Sequence, residues 1–369
     1  MKIRIINCFD TYEHRVELLL EYFLLNKHEA SVITSNFKHR EKVFRVEKKD
    51  FYQFVPTKVY KKNLSINRLK SHWILSKDIF ENLDQDIDLL WIMVPPNSFV
   101  KKSLEFKKNN PNTLVVLDFI DMWPETLPVG KIKNLFPFSF WKKLRDSNLK
   151  KADFIVTECN LYQTLLKNKV IGSKMSTLYL SYGNIDNEKS LPCILPKDKL
   201  SLCYLGSINN IIDIDFISKI LKNISLTEKI DFHIIGDGER KSDLISKSKF
   251  KNVTVIDHGK IYDSKKKLEI LNSCHYGLNI MKKSVFVGLT MKSLDYFKVG
   301  LPIINNIKGD TWEFVISNNI GVNTSNGELT LSPTNYDISQ RERVRNFYQE
   351  NFSKDAIFKG LDSIIKTIS

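Results

Sequence analysis

Short aliphatic segments that do not alternate with polar residues recur along this chain, and they restrict its fold more than any other feature. Residues 2–9 (KIRIINCF) come before an amphipathic helical pattern, and residues 30–35 (ASVITS) follow it. This strand–helix–strand order predicts parallel pairing, and strands without alternation are typical of parallel sheets buried on both faces. Further strands are predicted at residues 87–94, 113–119 and 152–158, with a long helix at 65–83 before them.

A second series of the same units begins after residues 178–199, whose glycine, prolines and polar residues predict a linker. Its strands are predicted at 200–206, 230–238, 253–259 and 276–281, with helices near 213–223 and 264–271. A chain of 369 residues also exceeds what one hydrophobic core usually holds. The predicted fold class is therefore α/β, with two Rossmann-like doubly wound parallel-sheet domains that face a cleft.

The expected domains are an N-terminal domain at residues 1–182, a C-terminal domain at 183–350 and a final helix at 351–369 that packs back on the first domain. Ligands of doubly wound sheets bind beyond the carboxyl ends of the strands, so the residues that follow each strand are site candidates. In the second series these residues are Gly206, Ser207, Gly236, Asp237, Gly238, His258, Gly259 and Lys260.

Composition narrows the class of protein. The longest apolar runs, such as residues 88–96, are of strand length and contain proline, well short of the ~20 residues that a membrane-spanning helix needs. We therefore expect a cytoplasmic protein. The five cysteines are scattered singly, which argues against a zinc or dithiol redox site. The net charge of +14 would attract nucleic acid, an anionic membrane or a phosphorylated substrate, and charge alone does not choose among them.

Residues 287–306 (VGLTMKSLDYFKVGLPIINN) predict a loop, a helix and a strand whose helix N-terminus is free to bind an anion. Thr290 can cap a helix over 291–298, Gly300 ends it, and the strand follows Pro302. The first amides of that helix, with the charge of Lys292, suit a nucleotide diphosphate, and Asp295 could accept hydrogen bonds from sugar hydroxyls. The simpler alternative is a structural turn in which Lys292 and Asp295 form a solvated pair.

Four segments, YLGSIN, FHIIGDG, DHGKI and GLTMKSLDYFKVGLPII, occur in the order found in one known family. They make the second half similar to the donor-binding domain of retaining glycosyltransferases of the GT-B type, the group that builds capsules, exopolysaccharides and lipopolysaccharides. The resemblance implies that the loop 258–261 contacts the nucleobase and that Asp295 contacts the ribose. It also implies that the diphosphate lies on Gly288, Leu289, Thr290, Met291 and Lys292.

The sequence departs from the pattern of that family at two places. Two glutamates eight positions apart are usual there, whereas this chain has Val287 and Asp295. The arginine and lysine that often follow the first strand of the second domain are absent from GSINNIIDID. Val287 keeps open the alternative that the chain is a noncatalytic GT-B-like partner subunit of another glycosyltransferase.

Carboxylates follow a predicted strand of the first half, in the segment DFIDMWPETLP. Asp121 resembles the acidic position of similar transferases, and we expect it to orient an acceptor hydroxyl or take its proton. Asp118 and Glu125 are the further acceptor-binding candidates in this segment, although aspartates in loops often serve as caps or turn formers. Arg15 and His39, which follow the first two strands, could also meet a phosphate or sugar hydroxyl of the acceptor, or be ordinary loop residues.

Residues 131–151 mix aromatic and basic side chains in a way that suits an anionic membrane surface. The residues concerned are Phe136, Phe138, Phe140, Trp141, Lys142, Lys143, Arg145, Lys150 and Lys151. The alternative is a core helix whose aromatic residues pack on the sheet while its lysines are solvated. The surface reading predicts a peripheral position on the inner face of the cell membrane.

Together these inferences predict an enzyme, a glycosyltransferase that moves a hexose from a nucleotide diphosphate sugar, expected to be UDP-linked, to a lipid-linked saccharide acceptor in bacterial surface polysaccharide biosynthesis. No cofactor and no metal are expected, because the nucleotide sugar is a substrate and a helix N-terminus with Lys292 can neutralise the leaving diphosphate. Nucleic acid is not expected as a partner, since only net charge supports it and no aromatic-basic recognition motif is present.

Overall fold

The computed structural model describes residues 1–63, 65–127, 134–170, 174–184, 193 and 195–368. Two compact units divide the chain: Met1–Leu180 with Ile357–Ser369, and Ser181–Ala356. The domain boundaries expected from the sequence are 182/183 and 350/351. Residues 185–192 and 194 of the predicted linker, and residues 131–133 of the aromatic-basic segment, lie outside the described residues.

The strands of the first unit form one large parallel sheet and a small antiparallel ribbon. They are β1 (Lys2–Ile6), β2 (Glu29–Ser35), β3 (Phe37–Lys38), β4 (Val43–Phe44), β5 (Tyr52–Val55), β6 (Leu89–Val94), β7 (Leu114–Phe119), β8 (Phe154–Thr157) and β9 (Met175–Thr177). The seven-stranded sheet has the order β5-β2-β1-β6-β7-β8-β9, and β3 pairs with β4. All six residues of β6 are buried, as its unbroken aliphatic sequence predicts.

Five helices belong to this unit: α1 (Glu13–Leu25), α2 (Ile66–Glu81), α3 (Asn97–Asn109), α4 (Phe138–Asp146) and α5 (Asn160–Leu166). The start of α2 agrees with its sequence signal, because Ser65 Oγ accepts a hydrogen bond from the Arg68 amide at 3.2 Å. Helix α3 was not predicted from the sequence, nor were the short strands β3, β4, β5 and β9. These strands have two to four residues, which is too few for a periodic pattern.

The second unit repeats the parallel architecture with six strands. They are β10 (Leu200–Leu205), β11 (Ile230–Ile235), β12 (Val253–Gly259), β13 (Tyr276–Asn279), β14 (Ile303–Asn305) and β15 (Gly321–Asn323), in the order β12-β11-β10-β13-β14-β15. Its helices are α6 (Ile214–Ile224), α7 (Lys241–Lys247), α8 (Ser264–Asn272), α9 (Met291–Lys298), α10 (Asp310–Asn318) and α11 (Ser339–Phe352). The prediction of two α/β domains with parallel sheets is confirmed.

The last helix, α12 (Lys354–Ile368), contributes most of its length to the first unit. Ile357, Leu361 and Ile364 are buried in the same hydrophobic cluster as the central strands of the seven-stranded sheet. Tyr22 donates a hydrogen bond from its hydroxyl to Asp362 at 2.7 Å. The apolar face of this helix explains the return of the chain, because an amphipathic helix is stable only where that face is covered.

Two negative findings concern the described part of the chain. Within it, no helix is both long and apolar enough to cross a membrane. Nor do these residues include a group of three or more His, Cys, Asp or Glu side chains arranged to hold a metal ion.

Candidate functional site

The loop that leads into α9 lies at the carboxyl edge of the six-stranded sheet. Thr290 caps the helix, since its Oγ1 accepts from the Ser293 amide at 3.2 Å, and the same hydroxyl donates to Asn279 Oδ1 at 2.8 Å. The Gly288 carbonyl accepts two hydrogen bonds from Thr311, one from its amide at 2.9 Å and one from its hydroxyl at 2.7 Å. The loop is therefore attached to both β13 and α10, which holds the N-terminus of α9 in place.

A ladder of three asparagines, which sequence reasoning missed, supports this edge. Asn279, Asn305 and Asn323 are the last residues of β13, β14 and β15, and they are direct partners in the sheet register. The Asn279 amide donates to Asn305 Oδ1 at 3.0 Å, and the Asn305 amide donates to Asn323 Oδ1 at 2.8 Å. The recurrence of asparagine at the ends of three neighbouring strands was the signal that could have revealed it.

Lys292 is the central charged group of this edge, and it is 9% exposed. Its Nζ lies 3.2 Å from the Tyr204 hydroxyl and 4.3 Å from the centre of that ring. Within the described residues it has no ion pair with a carboxylate. Burial lowers the pKa of the Lys292 amine to about 7. An unpaired buried cation of this kind costs free energy until an anion binds.

Asp295 does not pair with Lys292, so the alternative of a solvated pair between them is wrong. Its Oδ1 accepts from Lys267 Nζ of α8 at 3.2 Å, and the side chain is 28% exposed. Burial raises the pKa of Asp295, while the charge of Lys267 opposes that shift. The carboxylate remains reachable from solvent, as a contact with sugar hydroxyls requires.

Gly236, which follows β11, is required by its close packing against the backbone of Gly206, which follows β10. A Cβ at Gly236 would lie 2.0 Å from the Gly206 carbonyl oxygen, and both residues have positive φ, +152° and +118°. Side chains are therefore excluded at Gly236, and the two loops touch through backbone alone. Ser207 is exposed, and its carbonyl accepts from the Tyr204 hydroxyl at 2.8 Å, so the tyrosine that meets Lys292 also fixes this loop.

His258 forms a stacked pair with His233 of the neighbouring strand. The ring planes are 4° apart with centroids at 5.2 Å, and His233 Nδ1 lies 2.9 Å from His258 Nε2. Burial lowers the pKa of both rings, that of His233 to about 4, so one neutral ring donates to the other. Gly259 follows with its carbonyl bound to the Gly236 amide at 2.8 Å, and Lys260 is exposed 3.5 Å from Asp237.

Two acceptor candidates of the first unit, Arg15 and Asp118, satisfy each other in the interior. The guanidinium donates from Nε and Nη2 to the two Asp118 oxygens, both at 2.8 Å, and Trp91 Nε1 donates to Oδ2 at 2.9 Å. The side chains are 5% and 0% exposed. This geometry corrects the expectation that they face an acceptor: they join β6 and β7 to α1.

Glu125 also has a structural partner in place of the expected acceptor. Arg145, which is fully buried, binds it in a bidentate manner at 2.8 and 3.1 Å, and Lys142 adds a contact at 2.7 Å. Burial alone would raise the pKa of Glu125, but the hydrogen bonds and charge of Arg145 outweigh burial and lower it to about 2. The carboxylate fixes α4 against the loop that follows β7.

Asp121 differs from Asp118 and Glu125, because the side chains that donate hydrogen bonds to it are neutral. Trp123 Nε1 donates to Oδ2 at 2.8 Å, and the Thr126 hydroxyl donates to Oδ1. Burial raises the pKa of Asp121 above its usual range, although these two hydrogen bonds oppose the shift. The side chain is part-buried rather than enclosed. A carboxylate with a raised pKa and no salt bridge among the described residues suits a general base.

His39 is held in the loop after β2. Its Nδ1 lies 2.7 Å from the Tyr60 hydroxyl, and its amide donates to Asp10 Oδ1 at 2.7 Å. Burial first, and then the charges of Arg68 and Lys42, lower the pKa of His39 to about 4. The ring is therefore neutral at physiological pH, which removes it as a cationic partner for a phosphate.

The whole chain superposes on solved glycosyltransferases. HepE from Anabaena in complex with UDP matches with a TM-score of 0.68 at 9% identity, covering 100% of both chains. The lipopolysaccharide outer core galactosyltransferase WaaB matches with a TM-score of 0.65 at 13% identity, and the match covers 100% of this chain and 99% of WaaB. Sucrose-phosphate synthase from Thermosynechococcus elongatus matches with a TM-score of 0.66 at 11% identity, and the match covers 99% of this chain and 98% of the synthase. The chain has the GT-B fold.

At the level of sequence, no family model and no curated protein matches the chain. Identities of 9–13% to the solved structures show a shared GT-B fold, and fold alone assigns no activity. An activity therefore depends on the residues of the site.

The aromatic-basic segment of this GT-B chain divides into two faces. Trp141 and Arg145 are buried, and Lys142 is bound to Glu125. Leu135, Phe136 and Phe140 are 62%, 80% and 49% exposed. Lys143, Lys150 and Lys151 are exposed as well. One face of the segment is therefore packed in the interior and the other is exposed, and binding to a membrane stays a prediction. Arg145 is corrected from a surface residue to an interior one.

Proposed function

We propose that this chain is a glycosyltransferase that moves a hexose from a UDP-sugar to a lipid-linked saccharide in surface polysaccharide biosynthesis. The single observation that carries the proposal is Lys292, a buried amine without a carboxylate partner among the described residues, beside the N-terminus of α9 in a GT-B fold. The resemblance of the surrounding segments to the donor-binding domain supports it. So does HepE, a structure of the same fold that holds UDP.

In the proposed donor site the diphosphate lies on the amides of residues 288–292 and on Lys292. The partial positive charge of the helix N-terminus and the full charge of the amine both favour an anion there. Asp295 accepts hydrogen bonds from the ribose hydroxyls, and the loop around His258 and Gly259 contacts the base. No metal and no further cofactor are proposed.

The proposed reaction breaks the bond between the sugar C1 and the diphosphate oxygen and forms a bond from C1 to an acceptor oxygen. Negative charge develops on the departing UDP, and Lys292 with the α9 amides stabilises it. Asp121 orients the acceptor hydroxyl or takes its proton. Retention at C1 is part of the proposal, and it rests on the sequence resemblance.

The first unit is proposed to bind the acceptor and to rest on the inner face of the cell membrane. Exposed Phe136 and Phe140, together with Lys143, supply the apolar and cationic groups that an anionic lipid surface attracts. WaaB, which shares the fold, is named as a lipopolysaccharide galactosyltransferase, and this supports an acceptor of the same class.

The deciding experiment measures two quantities on one preparation. UDP binding is titrated calorimetrically, and transfer from UDP-glucose, UDP-galactose and their N-acetyl forms is assayed on lipid-linked saccharides. We expect both binding and transfer. A folded protein that binds UDP but transfers to none of these acceptors would favour the noncatalytic partner subunit that Val287 keeps open. A protein that binds no uridine nucleotide would contradict the donor site itself.

A further inference from the structure

The first unit contains a cavity of about 200 Å³ whose walls are mostly apolar. It is lined by Asn63, Ser65, Ile66, Arg68, Leu69, Trp123, Leu127, Pro137, Phe138 and Trp141. Pockets that enclose a whole small ligand measure about 300–1,000 Å³, so this cavity has room for one end of such a ligand.

Arg68 is the charged group of this cavity, and it is 6% exposed. Its Nη1 donates to the Asn63 carbonyl at 2.8 Å, and its guanidinium lies 4.2 Å from the centre of the Trp123 ring. Among the described residues it has no ion pair with a carboxylate, and Arg68 Nε has no hydrogen-bond partner. A buried guanidinium in this state is unfavourable, because it has lost its hydration without gaining an anionic partner.

A second cation lies beside the first. Lys42 Nζ donates to Asn63 Oδ1 at 2.5 Å and lies 4.7 Å from the centre of the Tyr60 ring. Asn63 thus bonds to both cations, through its backbone carbonyl and its side-chain oxygen. The nearby carboxylate of Asp10 is bound to the His39 amide. Two adjacent positive charges repel each other, and an anion between them would remove that repulsion.

The remaining walls identify the rest of the ligand. Leu69, Phe138 and Trp141 offer apolar surface, and Ile66 is 65% exposed. Trp141 Nε1 is a buried donor without a partner in the described part of the chain. An occupant of this cavity therefore carries an anionic group, which the cations bind, joined to an apolar chain that covers these side chains.

The cavity also shares a residue with the candidate base. Trp123 forms part of the wall with its ring and donates from Nε1 to Asp121 at 2.8 Å. A molecule held against Trp123 therefore lies one side chain away from the Asp121 carboxylate.

We propose that this cavity binds the phosphate of a lipid-linked acceptor, with the phosphate on Arg68 and Lys42 and the first part of the alkyl chain on Leu69 and Phe138. This inference rests on the proposed function, because it specifies how the acceptor of that reaction is recognised. The saccharide beyond the phosphate then extends past Trp123 toward Asp121.

The test uses octyl phosphate below its micelle concentration, with octyl glucoside and inorganic phosphate as the two partial probes. Binding is followed calorimetrically and by tryptophan fluorescence in the full chain. We expect octyl phosphate to bind more tightly than either partial probe. Arg68→Met should weaken it about tenfold or more, as expected for the loss of charge-assisted hydrogen bonds, and Arg68→Lys should weaken it less. Lys77→Met removes an exposed charge from the same helix and should leave binding unchanged.

Two further measurements keep the outcome decisive. Leu69→Trp fills the cavity without changing charge, and it should abolish octyl phosphate binding while UDP binding, a property of the other unit, stays intact. Arg68→Met should retain the thermal midpoint of the parent, because the charge that it removes has no buried partner carboxylate. Equal binding of octyl phosphate by the parent, Arg68→Met and Leu69→Trp would overturn the proposal, as would equal binding of octyl glucoside and octyl phosphate by the parent.

The same data separate this inference from the proposed function. Sugar transfer by the parent with no effect of Arg68→Met on octyl phosphate binding would refute the phosphate cavity and leave the transferase standing. Specific, Arg68-dependent binding in a chain that transfers no sugar would keep the cavity and refute the reaction.

Discussion

Two buried basic side chains, Arg15 in the first unit and Lys292 in the second, differ in their partners. In the first unit, Arg15 makes two hydrogen bonds of 2.8 Å to Asp118 and is complete without a ligand. In the second unit, Lys292 contacts the hydroxyl and ring of Tyr204 and has no carboxylate partner among the described residues. A buried charge that has an opposite charge beside it stabilises structure, whereas one without a partner is free to bind a ligand of opposite charge.

The same distinction separates two carboxylates that lie three residues apart. Asp118 is fully buried and neutralised by Arg15, while Asp121 accepts hydrogen bonds from the neutral side chains of Trp123 and Thr126 and has no salt bridge among the described residues. Asp118 lies near the end of β7 and Asp121 two residues beyond that strand, and the sequence around them did not show which one has an ionic partner. The first three predictions test whether the presence or absence of an ionic partner separates structural from functional charges, and the fourth compares exposed surfaces of the two units.

The largest effect is expected at Asp121. Asp121→Asn keeps the shape of the side chain but removes its charge and its ability to take a proton, so the transfer rate should fall roughly 10²–10⁴-fold. Because burial raises the pKa of Asp121, the rate of the parent should fall as the pH drops through that raised value and the carboxylate is protonated. Single-turnover transfer assays measure both effects.

UDP affinity serves as the internal control for this variant, because the proposed donor residues lie in the other unit and should not respond. Asp86→Asn, at an exposed position, is the matched substitution and should transfer at the parental rate. Near-parental turnover of Asp121→Asn would remove this residue from the mechanism and weaken the distinction from Asp118.

The next effect is on stability. Asp118→Asn leaves the buried Arg15 guanidinium without its counter-charge, and the free energy of unfolding should drop by about 3–5 kcal/mol. Urea unfolding of the parent and the variant measures the difference. The double variant Arg15→Met/Asp118→Leu should recover much of the loss, since it buries no charge. If Asp118→Asn unfolds at the parental urea concentration while sugar transfer is lost, Asp118 belongs to the acceptor site after all.

Replacing Lys292 should have the opposite result to replacing Asp118: ligand binding should weaken while the stability of the fold is preserved. Lys292→Met should weaken UDP binding by about 1–2 kcal/mol, or roughly 5–30-fold, the value of a charge-assisted hydrogen bond. In the parent, UDP affinity should decline as the pH rises above about 7, because the free amine loses its proton there. Titrations between pH 6 and pH 9 are the measurement, and Lys292→Met should lack the part of the pH dependence due to the amine.

Stability provides the second readout for Lys292. Its pKa is lowered by folding, so between about 7 and its ordinary value of 10.5 the unfolded chain binds more protons than the folded one. The parent should therefore gain stability with rising pH in this window, with a slope of up to about 1.4 kcal/mol per pH unit. Lys292→Met should lack this contribution. A strongly destabilised Lys292→Met would show that the amine is structural.

The smallest effect is expected for binding to anionic vesicles through the exposed face of the aromatic-basic segment. Lys143→Gln should reduce binding to anionic vesicles by about 1 kcal/mol, and adding Phe136→Ser should reduce it further, because an exposed basic and an exposed apolar group are lost. Vesicle sedimentation measures the effect. The matched variant in the second unit is Tyr262→Ser/Lys265→Gln, which should change nothing. Equal losses from the two units would mean that vesicle binding follows net charge alone.

Much of the fold could be predicted because its signals are local. The unbroken aliphatic segment around β6 predicted a buried parallel strand, and the helix predicted at 291–298 coincides with Met291–Lys298. Thr290 and Gly300 marked its ends through their intrinsic preferences, a capping hydroxyl and a backbone with φ of +75°. The two-residue strands were missed because their sequences are too short to carry a period. Helix α3 was missed although its buried residues Phe99, Val100, Ser103 and Leu104 recur at helical spacing.

The candidate site was predicted only in part. Composition placed charges after strands, and the structure leaves Lys292 and Asp121 without an ionic partner among the described residues, while Asp295 is paired with Lys267 but 28% exposed. For Arg15, Asp118 and Glu125 it does not, and nothing in the neighbouring sequence shows the difference. Arg68 was not considered at all, because one basic residue within a predicted helix is indistinguishable from a solvated one until its surroundings are known.

The sequence by itself determined where strands and helices begin, which strands are buried and which residue types follow them, because these depend on neighbours within a few positions. The tertiary structure decided which charges have partners. Arg15 and Asp118 are 103 positions apart, and Lys292 and Tyr204 are 88 apart. Contacts over such separations form only when the sheets assemble. The energy of a buried charge depends on those contacts, so the roles of these residues could be read only from the folded chain.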